Sequence, residues 1–375
     1  MWTIEHWYRE SKEFAARNAA MVRQGAELIL QATMDHLPGV SRDEVVRRLH
    51  NLNRQRLAAV PSLTQYPELR GMGELVQADW RGVRDGAGLD DALWAAHCDQ
   101  HYYSHRYIST GQAVPPGCSY VYFPTSDRGP MLAHNIDCGP IDFVPEPGWP
   151  AISEHLILGG VSSGVFLDEQ SPEMFPAPVY KLVGRYCRNT DEAVEMLTRY
   201  NYFWGPGNVI VIDRNHDVAM IEKSACRIGV RRSPDGFGFI TAMTAQEPSM
   251  KAFLQGRRTA SILARKLPKE NADAAYWKAQ DRRHELMSEL LDEARKNPTA
   301  ECLRRFIQFR SPERGNVCAN GEPVFPGGPP TEHTVRTDLW FLREGRAQWW
   351  AMEGKKPSFE NRKPDMTFKD MWLWD

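Results

Sequence analysis

The hydrophobic pattern of this chain changes character near residue 117. Upstream, apolar residues recur at helical spacing. Phe14, Met21 and Leu28, at seven-residue steps, predict one amphipathic helix over 11–36 that stops at Pro38-Gly39. Ser41 and Glu44 form a capping-box pattern ahead of a second helix, with Val45, Leu49 and Leu52 as its buried stripe. A further helical piece starts at Pro67-Glu-Leu-Arg-Gly71, and Asp90 caps a fourth that runs towards Tyr103. The helical part closes in a loop through Gly111 and Pro115-Pro116.

Downstream the period falls to that of strands. Gly117-Cys118 opens the apolar run Ser119–Phe123; after a polar turn, a second run from Pro130 ends in His134, Asn135 and Asp137. This is strand, turn, strand. Ile152–Leu158 and Gly164–Leu167 predict two short strands joined by a loop over 159–163, and Thr190 is the expected N-cap of a helix over 191–200. Strands follow at 208–213, 219–222, 227–230 and 237–241. Two helices, 251–266 and 272–294, come next, the second with Leu286, Leu290 and Leu291 on one face. The loop Phe325-Pro-Gly-Gly-Pro-Pro330 precedes strands at 337–342 and 347–352. Strands, then helices, then strands predict an α+β layered domain at 118–375 behind a helical N-terminal segment at 1–117.

Composition narrows the function. The 375 residues are 42% hydrophobic with a formal net charge of −2, which leaves no electrostatic footprint for nucleic acid or an anionic membrane surface. No apolar stretch approaches the roughly 20 residues a membrane span needs. The N-terminus has acidic residues and no apolar core, so no secretory peptide is expected. Seven widely spaced cysteines, an odd number, fit reduced thiols. The expectation is a cytoplasmic protein acting on a small molecule, with no cofactor.

Cys118 is the candidate nucleophile, read against the alternative of a small buried hydrophobe. The glycine before it permits a strained peptide bond suited to self-cleavage. Cleavage between Gly117 and Cys118 would free an α-amine of pKa about 7.7–8.0, able to take the thiol proton without a histidine. Asn135 and Asp137 alternate with Ile136 and so share a face. One can orient the amine while the other binds substrate or oxyanion; otherwise they are a polar pair facing a turn. His134 invites a conventional Cys-His reading, but alternation puts it opposite Asn135. His97, His101 and His105 share a helix face, yet no spaced carboxylate or cysteine pair completes a metal site, so none is expected. Trp340, Trp349, Trp350, Trp372 and Trp374 are either packing or the lining of an apolar acyl pocket.

Taken in order, these motifs resemble the acyl-coenzyme A:6-aminopenicillanate acyltransferase-like branch of the N-terminal-nucleophile hydrolases. Tyr66-Pro-Glu-Leu-Arg-Gly71 is similar to that family's pro-segment motif, Gly117-Cys118 to its autocleavage site, and Ala133-His-Asn-Ile-Asp137 to its Asn-x-Asp strand. Val161-Ser-Ser-Gly-Val165, Thr190-Asp-Glu-Ala-Val194, Asn208–Asp213 and Ile221-Glu222 follow in the family's order, and Asn316-Val-Cys318, Thr334 and Gly354 fall at its weaker signals. The resemblance implies a four-layer αββα sandwich matured by self-cleavage. It also implies an acyl-enzyme on Cys118 whose acyl group passes to water or an amine. Asp137 and Asn135 would then support the new terminus and the pocket, and Asn208 would bind substrate.

Two departures stand out. Where the family has a Thr-Asn-His run supplying an oxyanion donor, this chain has Thr241-Ala242-Met243, leaving Gln246 or a backbone N–H as substitute. Losing one such donor typically costs about 100- to 1,000-fold in rate. That favours an alternative: a non-processing, weakly active or inactive relative that serves as a binding or scaffold protein. Asp168-Glu169 replaces a common asparagine, which favours a cationic or amine-bearing substrate.

Overall fold

The computed structural model describes residues 3–35, 39–62, 72–98, 118–138, 151–162, 183–184, 186–199, 207–224, 227–242, 244–258, 272–319, 333–353, 356–367 and 374. They fall into two compact units. The sequence expectations at Pro67–Gly71, His101, His105, Gly117, Gly164–Leu167, Asp168, Glu169, Phe325–Pro330, Gly354 and Trp372 lie outside them.

The first unit is helical: α1 (Ile4–Arg17), α2 (Ala19–Asp35), α3 (Arg42–Ser62), α4 (Met72–Ala87) and α5 (Asp91–His97). The single helix expected over 11–36 is two. Asn18 leaves helical geometry at φ −117°, and its side-chain amide donates to the Phe14 carbonyl at 2.9 Å, closing α1. Phe14 is half-buried, and among the described side chains α1 buries Trp7, Ser11 and Ala15, and α2 buries Val22, Ala26 and Leu30. Backbone meets backbone between α1 and α4. A Cβ at Gly82 or Gly86 of α4 would lie 2.4 Å from the Tyr8 carbonyl or 2.1 Å from that of Lys12, so the two backbones meet without side chains between them. Ser11 donates to the buried Asp79 at 2.6 Å across this contact. The caps expected at Ser41 and Asp90 are formed, accepting from Glu44 N and Leu93 N at 3.3 and 2.8 Å.

The second unit holds two antiparallel sheets. The first contains β1 (Ser119–Phe123) and β2 (Met131–Cys138). The second contains β3 (Ala151–Ile152), β4 (Leu156–Ser162), β5 (Gly207–Asp213), β6 (Val218–Lys223) and β7 (Ile228–Arg232). Returning to the first, β8 (Gly238–Thr241), β11 (His333–Phe341), β12 (Arg346–Ala351) and β13 (Met366–Thr367) complete the order β13-β12-β11-β2-β1-β8. A two-stranded ribbon, β9 (Arg310–Ser311) and β10 (Gly315–Asn316), stands apart. The helices are α6 (Thr190–Arg199), α7 (Pro248–Arg258), α8 (Ala272–Arg295) and α9 (Ala300–Ile307).

Both faces of β1 are covered, so all five of its residues are buried rather than alternating. Tyr120 and Tyr122, with Leu132 and Trp340, pack against Ile157, Ile210 and Met220 of the second sheet. Val121, Phe123 and Ala133, on the opposite face, pack against Leu286 and Leu290 of α8 and Leu303 and Phe306 of α9. α6 packs along β5 and β6. Full burial of each large apolar side chain contributes about 1.5–3 kcal/mol. A one-residue slip of β1 would therefore exchange two cores at once, which fixes its register.

Two sequence expectations change here. Gly159 and Gly160 lie inside β4, not in a loop. A Cβ at Gly159 would come 2.9 Å from the Tyr120 ring, so glycine lets the sheets approach there. The N-cap of α6 is Asn189, whose Oδ1 accepts from Glu192 N at 2.9 Å, while Thr190 donates its hydroxyl to the Asp217 carbonyl. The tryptophans at 340, 350 and 374 are buried in cores. Among the described residues, no helix is long and apolar enough to cross a membrane, and no group of side chains could hold a metal ion.

Candidate active site

The site is built at the ends of the two central strands of the first sheet. Ser119 stands opposite Asn135 and Tyr120 opposite His134, which places Cys118 beside Ile136 at the head of β1. The Cys118 carbonyl accepts from Ala242 N at 3.0 Å, extending the β1–β8 ladder by one step. Cys118 and Ile136 are half-buried, whereas Tyr120 and His134 below them are buried. The thiol is therefore at the rim of the face that meets the second sheet.

Asn135 and Asp137 share a face, as alternation requires, and it is the helix-covered face rather than that of the thiol. The Asp137 carboxylate is fully buried. Its Oδ2 accepts from an Arg283 guanidinium nitrogen at 2.5 Å and its Oδ1 from the Thr334 hydroxyl at 2.6 Å. The same guanidinium nitrogen donates to the Val317 carbonyl at 2.6 Å and reaches the Ser119 hydroxyl at 3.5 Å. The Asn135 amide donates to the Ile307 carbonyl at the end of α9 and accepts from the Thr337 hydroxyl, each at 2.8 Å. A register shift in β11 between Thr334 and Arg336 brings both threonines to this face, one beside Asp137 and one beside Asn135.

Asp137 and the thiol meet through the backbone: Sγ lies 3.9 Å from the Asp137 carbonyl oxygen. Burial pushes the Cys118 thiol up to about 12, the Asp137 charge adding to the shift and Arg283 opposing it. In the continuous chain the sulfur is thus protonated at neutral pH.

Asn208, on β5, donates to the Thr241 and Thr244 carbonyls at 2.5 and 2.8 Å and so holds the segment that follows β8. Ala242 N is committed to the Cys118 carbonyl. Gln246 N is committed to the buried carboxylate of Glu222, at 2.8 and 2.9 Å to its two oxygens. Burial raises that carboxyl group above its ordinary range, against the pull of Arg231.

Arg283 escaped the sequence reading, although a signal existed. It falls on the apolar stripe of α8, one turn before Leu286 and Met287, and an arginine on a buried stripe implies an acidic partner. The pairing of His134 with Asp338, whose facing atoms Nδ1 and Oδ2 are 3.8 Å apart, was also missed, because it spans 204 residues of chain between positions 134 and 338.

No family model and no curated protein matches this chain. Among solved structures it is similar to penicillin V acylase from Agrobacterium tumefaciens, at 12% identity and a TM-score of 0.38, over 64% of this chain and 84% of that one. It is also similar to two variants of conjugated bile acid hydrolase from Clostridium perfringens, each at 10% identity, with TM-scores of 0.32 and 0.33, over 69% of this chain and 90% of those. At these values the likenesses do not carry the activities of those enzymes to this chain.

Proposed function

We propose that this protein is a cysteine-nucleophile amide hydrolase or acyltransferase of the N-terminal-nucleophile kind, matured by cleavage between Gly117 and Cys118. The observation that carries the reading is the placement of Cys118. It is a half-buried thiol at the head of a doubly paired strand, above a buried Asp137–Arg283–Thr334 cluster. Helices α8 and α9, the two facing sheets and α6 then form the αββα layering, with residues 1–117 as the pro-segment.

The uncut chain keeps the thiol dormant. With the thiol pushed up to about 12 by burial, the sulfur is protonated at pH 7 and a poor nucleophile. A free α-amine at Cys118, with a pKa of about 7.7–8.0, supplies the missing base on the carbon next to the thiol-bearing one. The thiolate attacks the carbonyl carbon of a small-molecule amide or thioester, the leaving amine or thiol takes the proton, and water or an amine then removes the acyl group. Asp137, fixed by Arg283, places the β2 backbone beside the sulfur, and Asn135 ties that strand to α9. Asn208, Gln246 and Asp168 are assigned to substrate, Asp168 favouring an amine-bearing one.

The second reading, a non-processing binding or scaffold protein, is favoured by one observation. The Ala242 and Gln246 N–H groups are both engaged within the protein, so neither is a ready oxyanion donor. Intact-mass measurement of the purified protein separates the two. Fragments meeting between Gly117 and Cys118, absent in Cys118→Ala, support the first. A chain that stays whole, with a Cys118→Ala form that keeps full amidase activity, sinks it.

A further inference from the structure

The segment after β8 lies against the candidate nucleophile, and two side chains of the second sheet hold it there. Asn208 and Glu222 stand opposite each other on β5 and β6. Asn208 alternates with Ile210 and Ile212, and Glu222 with Met220 and Val218, all in the core between the sheets, so both point at the first sheet. Asn208 takes carbonyls of the segment, those of Thr241 and Thr244. Glu222 takes its N–H groups. Gln246 N donates to both carboxylate oxygens, and Glu247 N donates to Oε2 at 2.9 Å. Arg231 Nε adds a bond to Oε1 at 3.0 Å. At 1% exposure the carboxylate has these donors in place of water. The next strand leaves room for the arrangement. Gly229 faces Glu222 from β7, and a Cβ there would lie 2.7 Å from Glu247 Oε2 and 2.8 Å from its Cγ.

One peptide unit links this clamp to Cys118. Its carbonyl end, Thr241 O, accepts from Asn208, and its N–H end, Ala242 N, donates to the Cys118 carbonyl at 3.0 Å. Hydrogen bonds in series through one peptide polarise one another. Ala242 and Ala245 also belong to the apolar cluster against which the half-buried Cys118 packs.

We propose that Glu222 is a positioning residue for Cys118: by holding the segment after β8 it fixes the nucleophile's backbone and keeps its thiol covered. This rests on the reading of Cys118 as the nucleophile and adds the group that governs its accessibility. Glu222 touches no reacting atom and acts through the segment it holds. Exchanging it for glutamine keeps the shape, but both oxygens now accept backbone N–H groups. Whichever way the amide turned, its NH₂ would face a donor.

The test is alkylation by iodoacetamide at pH 7.5, followed by peptide mass at Cys118 and Cys318, in the full chain as wild type, Glu222→Gln and Gly229→Ala. Cys318 is fully buried and reports global opening. Hydrogen bonds to a charged group, once lost, change a local opening equilibrium roughly 10- to 100-fold. Cys118 in Glu222→Gln should therefore react about 10- to 100-fold faster with Cys318 unchanged, and deuterium uptake over 242–247 should rise with it. Gly229→Ala crowds Glu247 away from β7 with the carboxylate intact, and should shift both readouts the same way. Should Glu222→Gln fail to fold, Cys318 reacts as well, and Gly229→Ala decides. A merely structural role for Glu222 would raise deuterium uptake while leaving Cys118 at its wild-type rate. That result overturns this inference and leaves the nucleophile reading standing. Full amidase activity in Cys118→Ala overturns the nucleophile reading alone, because the coupling is read on the thiol and not on catalysis.

Discussion

Replacing Arg283 with methionine keeps an unbranched stem on α8 but removes the only cation hydrogen-bonded to Asp137 among the described residues. The two side chains are 3% and 0% exposed, and the N–O distance is 2.5 Å. The substitution strands a carboxylate in a protein interior, with the Thr334 hydroxyl still donating to one oxygen. It also leaves the Val317 carbonyl without its donor. Breaking a buried pair from one side destabilises by about 3–5 kcal/mol, against a total stability of about 5–15 kcal/mol for a typical domain. In equilibrium terms that is roughly 150- to 5,000-fold. The sign of the coupling is the sharper test. Removing both charges, as Arg283→Met with Asp137→Leu, eliminates the stranded ion and should leave the protein at least about 1 kcal/mol more stable than Arg283→Met alone. Urea unfolding followed by near-ultraviolet circular dichroism, in a Cys118→Ala background so that every chain is uncut, measures this. Hydrogen exchange over 118–138 reports whether the loss is local. An Arg283→Met protein with the background midpoint and unchanged protection, or a double variant whose loss equals the sum of the singles, refutes the reasoning.

His284 gives a pH-dependent counterpart. Burial depresses its imidazole to about 3, with Arg231 and Lys251 adding to the effect and Asp281 opposing it, and its Nδ1 lies 3.2 Å from the Thr244 hydroxyl. The unfolded chain binds this proton near pH 6.5 and the folded one only near 3. The stability present above 6.5 is therefore lost as pH falls through that window. His284→Gln should match wild type in urea midpoint at pH 7.5 and exceed it at pH 5; equal midpoints at both would refute the assignment. In the helical unit, Gly86→Val drives a branched side chain into the Lys12 carbonyl and should destabilise α1–α4 packing by about 3 kcal/mol or more. Faster hydrogen exchange across 4–17 and 72–87 is the measurement, and unchanged exchange would show that the backbones are not in contact.

The hairpin was legible because its two cues are local. A continuous apolar run gives a strand covered on both faces, and strict alternation told which neighbours share a side. The break in the first helix was not legible, because one asparagine that closes a turn does not interrupt the apolar period. The glycines of β4 read as a loop for a similar reason. Their meaning depends on Tyr120, a residue in the other sheet. The site was legible only in its β1–β2 half. Cys118, Asn135 and Asp137 lie within one hairpin, whereas Arg283, Thr334 and Asp338 reach it from distant segments through helix packing and strand register, which no local window contains. The side of the sheet also mattered. Asn135, expected to support the pocket, has both ends of its amide engaged beneath the sheet, because the register that puts it beside Asp137 turns it away from the thiol.

The extra ladder step at Cys118 has a mechanical consequence. Its carbonyl is already bonded to Ala242, and the residues after it are paired to β2 on one side and β8 on the other. A chain break immediately before Cys118 would therefore sever no hydrogen bond of that ladder. The fresh terminus would be clamped from the moment it formed, its amine introduced into a framework already assembled around it. Cutting would create an amine at Cys118 and a carboxylate at Gly117. A switch of that kind alters reactivity without asking the fold to rearrange.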